Sequence, residues 1–313
     1  LRRPVHLEAE TGVKALVTGA SGWIGSRLVS RLTKDGWDVT ALVRPEGARR
    51  GIPGGAAAAT VIPADFLSAA AVRAAVLRCE PEALFHCAMP SGHPSNAAGR
   101  LEALAVAVNG TAHLAEAAAE AGVRRFVHLG SFLGYRPQDR PIREDDPIDP
   151  ATPRGAAKAA ASIWLRQFAK AQAFPAVELR IFSVYGPGEP EYRFIPTLLR
   201  AARDGSPIHL LQGAARDLVY VDDVVDACLA AIDATCNPGA VFNVGTGEAT
   251  ANEQVVRIVE SITGTAIRIA GEYPAKPADG VWRADISLAR EVLKWQPRRT
   301  LLEGLKEALQ SLT

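Results

Sequence analysis

Short apolar runs alternate with longer amphipathic stretches along the first half of the chain. Val13–Thr18 is apolar and rich in β-branched residues; it ends in a glycine cluster, and a helical pattern runs from Trp23 to Lys34. Asp38–Val43, Val61–Pro63, Ala83–Cys87, Arg125–Leu129 and Val177–Phe182 are further strand-like runs. Between them lie helical stretches near Ala69–Cys79, from about Gly155 to Ala171, and one ending at Ala121 with Leu101, Leu104, Val108, Ala112 and Ala115 on one face. The strands are nearly all apolar rather than alternating, as expected when helices cover both faces of a sheet. Strands separated by helical stretches predict βαβ units and a parallel sheet. Right-handed crossovers then make that sheet doubly wound.

After Phe182 the rhythm changes. Gly186-Pro187-Gly188 marks a turn, followed by a helix around Ile195–Arg203, a short strand at Ile208–Leu211, a helix over Asp222–Ala234 and a buried strand at Val241–Val244. Helices are predicted near Asn252–Thr263, Ser287–Leu293 and Leu302–Leu312. This pattern predicts a dinucleotide-binding-type α/β domain from residues 12–182 plus about 217–246. A smaller α/β domain takes about 183–216 plus 247–313, and residues 1–11 form a tail outside the fold.

Composition narrows the function classes. The 35 basic and 34 acidic residues nearly cancel, so no electrostatic footprint for nucleic acid or an anionic membrane is present. No apolar run reaches the roughly 18–20 residues that span a bilayer. Cys79, Cys87, Cys228 and Cys236 are scattered without C-x-x-C spacing, which argues against zinc and against a disulfide scaffold. A reducing compartment, and hence a cytoplasmic location, is the expectation.

The first chemical motif is Thr18-Gly19-Ala20-Ser21-Gly22-Trp23-Ile24-Gly25. It follows a strand, opens a helix and heads a βαβ series, the context in which a glycine triplet marks a dinucleotide site. Gly19 permits the tight turn, Gly22 lets backbone approach a pyrophosphate, and Gly25 lets the helix pack close to the sheet. The helix N-terminus offers free N–H groups and a partial positive charge to the phosphates. At the end of the second strand, an Asp or Glu would accept from the ribose of NAD. This chain has Val43 followed by Arg44, whose guanidinium can hold a 2′-phosphate, so NADP is favoured with NAD as the alternative. Asp65 is placed to accept from the adenine amino group with Phe66 beside it; a helix N-cap is the competing role for Asp65.

The ordered motifs T-G-A-S-G-W-I-G (18–25), A-D-F (64–66), H-C-A (86–88), V-N-G-T (108–111), R-F-V-H-L-G-S (125–131), L-R-I-F-S-V-Y-G-P-G (179–188), R-D-L-V-Y-V-D-D-V (216–224) and F-N-V-G-T-G (242–247) span nearly the whole chain. In them the sequence resembles the extended short-chain dehydrogenase/reductase family, the NAD(P)-dependent group acting on nucleotide sugars. The resemblance implies a Rossmann domain with a smaller substrate domain. It also implies a catalytic Ser/Thr, Tyr and Lys, with Tyr and Lys four residues apart on one helix face. Ser131 matches the Ser/Thr and Lys158 the Lys, which would also grip the cofactor ribose. The Tyr position holds Arg154, in R-G-A-A-K (154–158). Gly130 stands for a common Ser, and Ser183 for an Asn that contacts substrate.

Arginine stays protonated at any working pH and cannot serve as the tyrosine-like acid/base. Tyr135, Ser131, His93 or a water held by Lys158 could supply the proton instead, or Arg154 could stabilise an oxyanion or bind a substrate anion. On the substrate side, the resemblance points to Arg216 as a diphosphate contact and to Ser183 and Phe194 in the pocket. Ser91 and His93 follow the fourth strand at the carboxyl edge, where open α/β folds bind ligands. The resulting expectation is an NAD(P)-dependent 4-ketoreductase or 4-epimerase of a nucleotide sugar. A non-catalytic cofactor-binding or regulatory protein, and a lyase or isomerase without net cofactor turnover, are the alternatives. The family often dimerises through two helices, here those near 101–121 and 155–171, so a homodimer is implied by resemblance.

Overall fold

The computed structural model describes residues 12–53, 59–89, 96–274 and 280–312. The predicted alternation is realised as β1 (Lys14–Thr18), α1 (Trp23–Lys34), β2 (Asp38–Val43), α2 (Pro45–Arg50), β3 (Thr60–Pro63), α3 (Ala69–Cys79), β4 (Ala83–His86), α4 (Ala97–Glu120), β5 (Arg125–Ser131), α5 (Pro153–Ala171) and β6 (Ala176–Ile181). There follow β7 (Ser183–Tyr185), α6 (Phe194–Asp204), β8 (Ile208–Gln212), β9 (Ala215–Arg216), β10 (Leu218–Tyr220), α7 (Val221–Asp233), β11 (Ala240–Val244), β12 (Thr250–Ala251), α8 (Asn252–Thr263), β13 (Ile269–Pro274), β14 (Val281–Trp282) and α9 (Leu301–Gln310).

Seven strands form one sheet in the order β11-β6-β5-β4-β1-β2-β3, all pairs parallel. The order reverses between β1 and β4, and the crevice outside the carboxyl ends of those strands is where such a sheet takes ligands. One face packs Val17, Val39, Phe85, Val127 and Leu179 against α1 and α7; the other packs Leu16, Leu42, Leu84 and Phe126 against α3, α4 and α5. The doubly wound Rossmann-type sheet expected from the apolar runs is therefore present.

A second lobe is built by α6, α8, α9 and the β8–β13 pair around Leu198, Leu210, Val255 and Leu305. The strands β7 and β10 join the lobes: Val184 and Val219 belong to the first core, while Tyr185 and Tyr220 belong to the second. Their two-residue side-chain period sends neighbours to opposite sides.

Residues 289–295 fall within the segment 247–313 expected in the smaller domain. Ala289, Leu293 and Trp295 instead pack in the first core, and Trp295 Nε1 donates to the Asp223 carbonyl at 3.0 Å. The helix expected there is a single wide π-helical turn, Ala289–Leu293. The short strands β7, β9, β10, β12 and β14 are too short to be picked out from the apolar pattern of the sequence.

Asp217 ties the lobes together at their seam. Its fully buried carboxylate accepts from Thr246 N (2.6 Å), Thr246 Oγ1 (2.8 Å), Gly247 N (2.9 Å) and Ala284 N (3.1 Å).

Candidate active site at the sheet crevice

The glycine turn is shaped by close approach. Gly19 has φ +67°, and a Cβ there would lie 2.7–2.8 Å from the backbone of Cys87 and Ala88. A Cβ on Gly25 would lie 2.8 Å from the Gly19 carbonyl carbon. The N-cap of α1 is Gly22, with no side chain bonded to the first-turn N–H groups. Those groups stay available to an anion, so the turn fits the pyrophosphate of a dinucleotide. Trp23 fixes the turn from outside: its Nε1 donates to the Pro187 carbonyl at 2.8 Å, and Arg193 stands over its ring. Ile24 packs against the first core, and Gly25 is buried within α1.

A cavity of about 770 Å³ opens beside this turn. Its wall brings together Gly19, Ser21, Gly22, Arg44, Phe66, Arg154 and Lys158 from the expected set. It also includes residues that sequence reasoning passed over, Arg100, Glu102 and Val106 of α4 among them. Nothing in the periodicity of α4 marks its first turns as a cavity wall; only the crossing of α4 over the crevice does. Met89, just after β4, lines the same space.

The other expected residues are distributed as follows. Asp65 is exposed, and its Oδ1 accepts from Leu67 N–H at 2.9 Å; the N-cap of α3 is Ser68, not Asp65. Ser131 ends β5, and its Oγ accepts from Leu133 N–H at 3.2 Å, which leaves its own O–H to donate elsewhere. Ser183 begins β7, and Phe194 opens α6 packed on the second core. Arg216 lies on β9 and donates from Nη1 to the Gly280 carbonyl at 3.2 Å. Ser91 and His93 lie outside the described residues.

Tyr135 does not stand at the cavity as a replacement proton donor. It is 1% exposed, its hydroxyl donates to Asn243 Oδ1 at 3.0 Å and accepts from Arg180 Nη1 at 2.5 Å, and burial pushes its pKa up to about 12. His86 is likewise structural. Thr111 Oγ1 donates to the Ala107 carbonyl at 2.6 Å, so it accepts from His86 Nε2, and His86 Nδ1 accepts from Thr18 Oγ1 at 2.8 Å. The ring is thereby held as a neutral tautomer. Its pKa lies well below the usual imidazole value because of burial and then the neighbouring His128 and Lys158.

Arg154 and Lys158 sit one turn apart at the start of α5. Pro153 occupies the first helical turn, and Thr152 caps it by accepting from Gly155 N–H at 3.1 Å. Gly155 is needed because a Cβ there would meet the Leu133 carbonyl, 3.2 Å from its carbon, and Pro150. Arg154 Nε is buried without a partner. Burial lowers the Arg154 pKa, and the neighbouring Arg193 cation lowers it too. Burial, then the Arg154 cation, push the Lys158 ammonium down to about 8, against the opposing pull of Glu178. The four cysteines are free, and no metal-holding cluster of His, Cys, Asp and Glu exists among the described residues.

A doubly wound sheet with an open helix N-terminus at its switch point defines a dinucleotide-binding α/β protein. The sequence profile of the NAD dependent epimerase/dehydratase family matches residues 15–245, and the chain belongs to that family. It is 32% identical over 309 residues to a UDP-glucose 4-epimerase of Mycolicibacterium smegmatis, covering 95% of this chain and 98% of the relative. A dTDP-6-deoxy-L-talose 4-dehydrogenase (NAD(P)(+)) of Kitasatospora kifunensis is 35% identical over 212 residues, covering 63% of this chain and 66% of the relative. Among solved structures, MoeE5 in complex with UDP-glucuronic acid and NAD superposes with a TM-score of 0.85 at 32% identity, covering 96% of this chain and 98% of MoeE5. No described helix is long and apolar enough to cross a membrane.

Proposed function

We propose that the protein is an NAD(P)-dependent enzyme acting at C4 of a nucleotide-activated sugar, as a 4-epimerase or 4-ketoreductase, with Arg154 where the tyrosine acid/base is expected. The observation that carries this reading is the single cavity that joins the glycine turn to Arg154 and Lys158. The relatives support the substrate class: they include UDP-glucose 4-epimerases and a dTDP-sugar 4-dehydrogenase.

When bound, the cofactor supplies a hydride acceptor or donor. Lys158 anchors its ribose through a charged donor. Ser131 directs its free O–H at the reacting oxygen. Arg154 polarises that oxygen or holds a nearby substrate anion, a use that explains why a guanidinium Nε is buried without a protein partner. Ser183, Phe194 and Arg216 line the sugar and diphosphate side. Exposed Leu101 and Leu104 of α4 and Ile163 of α5 support a homodimer through those helices.

The test combines two readouts. The purified protein with UDP-glucose, UDP-glucuronic acid or a 4-keto nucleotide sugar is expected to yield the C4 epimer by NMR or to consume NADPH at 340 nm. Neither change, in protein carrying a full complement of nucleotide, would overturn the catalytic reading and leave a cofactor-binding role.

Cofactor choice rests on Arg44, an exposed wall residue at the end of β2. Arg44→Glu is expected to weaken NADP binding about 10- to 100-fold, the worth of a charge-assisted hydrogen bond. NAD binding should change far less. Wild-type protein that binds NAD tenfold more tightly than NADP would sink the phosphate-selector role.

A further inference from the structure

A row of polar side chains crosses the apolar sheet on the face that α4 and α5 cover. In the parallel register Thr18 pairs with His86, His86 with His128, and His128 with Glu178. Register partners in a parallel sheet point to the same face. Here that face is the one under α4 and α5, because Thr111 of α4 bonds His86 and Ser162 of α5 bonds Glu178. Glu178 is 2% exposed in a strand whose six residues are all buried. Burying a carboxylate is costly unless it is paired. Its Oε2 accepts from Ser162 Oγ at 2.5 Å, and its Oε1 lies 3.5 Å from Arg180 Nε.

The carboxylate has room only because residue 130 is glycine. A Cβ on Gly130 would collide with Glu178 Oε1 and come within 2.9–3.0 Å of its Cγ and Cδ. Gly130 lies two residues beyond His128 on the same face, so the Glu178 side chain leans over it toward the carboxyl ends of the strands. Lys158 is one turn before Ser162, the hydrogen-bond partner of Glu178, on the same face of α5, and the Glu178 charge opposes the burial that lowers the Lys158 pKa.

We infer that Glu178 is a positioning residue for Lys158: seated over Gly130 and held by Ser162, it keeps the lysine charged and directed into the cavity beside Arg154. The inference rests on the proposed role of Lys158 as a cofactor ligand. It accounts for two departures from the family together, since an arginine at 154 places a like charge beside Lys158 that a buried carboxylate offsets.

The charged and titratable groups around Lys158 can be named. Arg154 on α5 opposes its charge, and Glu178 on β6 supports it. Arg180 on β6 shares the carboxylate. His86 on β4 and His128 on β5 are held neutral, the latter at about 3, by burial and by Lys158 itself. Arg100 and Glu102 of α4 line the same cavity. Glu178 is thus the anion that the sheet presents to Lys158.

The experiment titrates NADP and, separately, NAD into the full chain after removal of bound nucleotide, from pH 6 to pH 10, by calorimetry, with thermal melts of each variant. In the wild type, affinity is expected to fall as pH rises through about 8, where Lys158 loses its proton. Glu178→Gln should move that midpoint down by about 1–3 units, the usual effect of losing an opposite charge nearby. Gly130→Ala displaces the carboxylate and should move it the same way, and the double variant should move it no further than Glu178→Gln. Either single variant suffices if the other fails to fold. A folded Glu178→Gln or Gly130→Ala whose midpoint stays in place would overturn the inference, whatever its melting temperature. Lys158→Met separates the two levels. Loss of the pH midpoint in Lys158→Met upholds Lys158 as a cofactor ligand even if Glu178 proves inert, whereas unchanged binding overturns both.

Discussion

Arg154→Tyr is expected to raise C4 oxidoreduction of a nucleotide sugar by about 10²-fold or more, the lower end of what a placed general acid/base contributes. Arg154 lies in the cavity wall one helical turn before Lys158. A phenol there would stand beside an ammonium, which favours its ionised form and brings it nearer to working pH. The surrounding structure accepts the change, because the Arg154 Nε is already without a hydrogen-bond partner. Arg154→Phe is the control: it has the ring without the proton. Initial rates by NADPH absorbance and by NMR of the C4 epimer decide the matter. If tyrosine is no faster than phenylalanine, position 154 does not face the reacting oxygen and the acid/base reading of the site is wrong. The same pair separates the two functional readings, since an enzyme that already uses Arg154 shows turnover before the change and a cofactor-binding protein gains it only afterwards.

Asp217→Ala is the substitution expected to weaken the fold most. It removes the acceptor for the N–H groups of Thr246, Gly247 and Ala284 together with the Thr246 hydroxyl. Each buried donor left unpaired costs about 1–3 kcal/mol, so the total is about 3–5 kcal/mol after water reaches part of the gap. For a chain of this size the melting temperature should fall by on the order of 10 °C. Asp217→Asn keeps the shape but turns an amide N–H₂ toward donors, so it should recover only part of the loss. Gly245 belongs to the same device, because a Cβ there would stand 2.7 Å from Asp217 Oδ2. Thermal denaturation followed by circular dichroism measures the effect, and a fall under about 3 °C would show that the seam between the lobes is held elsewhere.

The sheet was legible because its signal is local. Asp38–Val43, Trp23–Lys34 and Ala69–Cys79 begin and end where the apolar pattern begins and ends. Part of the cavity was legible for the same reason: the glycine turn, Arg44, Phe66, Arg154 and Lys158 follow strands or open a helix at positions that topology alone brings to one edge. The wall from α4 was not legible, because a helix's own periodicity reports the face it buries and not what passes over its first turns. Nor was the assignment of residues 289–295, which join the first core after the chain has left it for the second lobe.

By itself, then, the sequence determined a doubly wound parallel sheet, a dinucleotide turn at its switch point, and an arginine one helical turn before a lysine, all features written in residues near one another in the chain. Only the tertiary structure decided that Tyr135 is locked in a buried network 45 residues away in sequence from Arg180, that Gly130 makes room for Glu178, and that Ser162 of α5 holds this carboxylate. The physical reason is that a buried charge is tolerable only with partners, and those partners come from strands and helices whose pairing register no local pattern records.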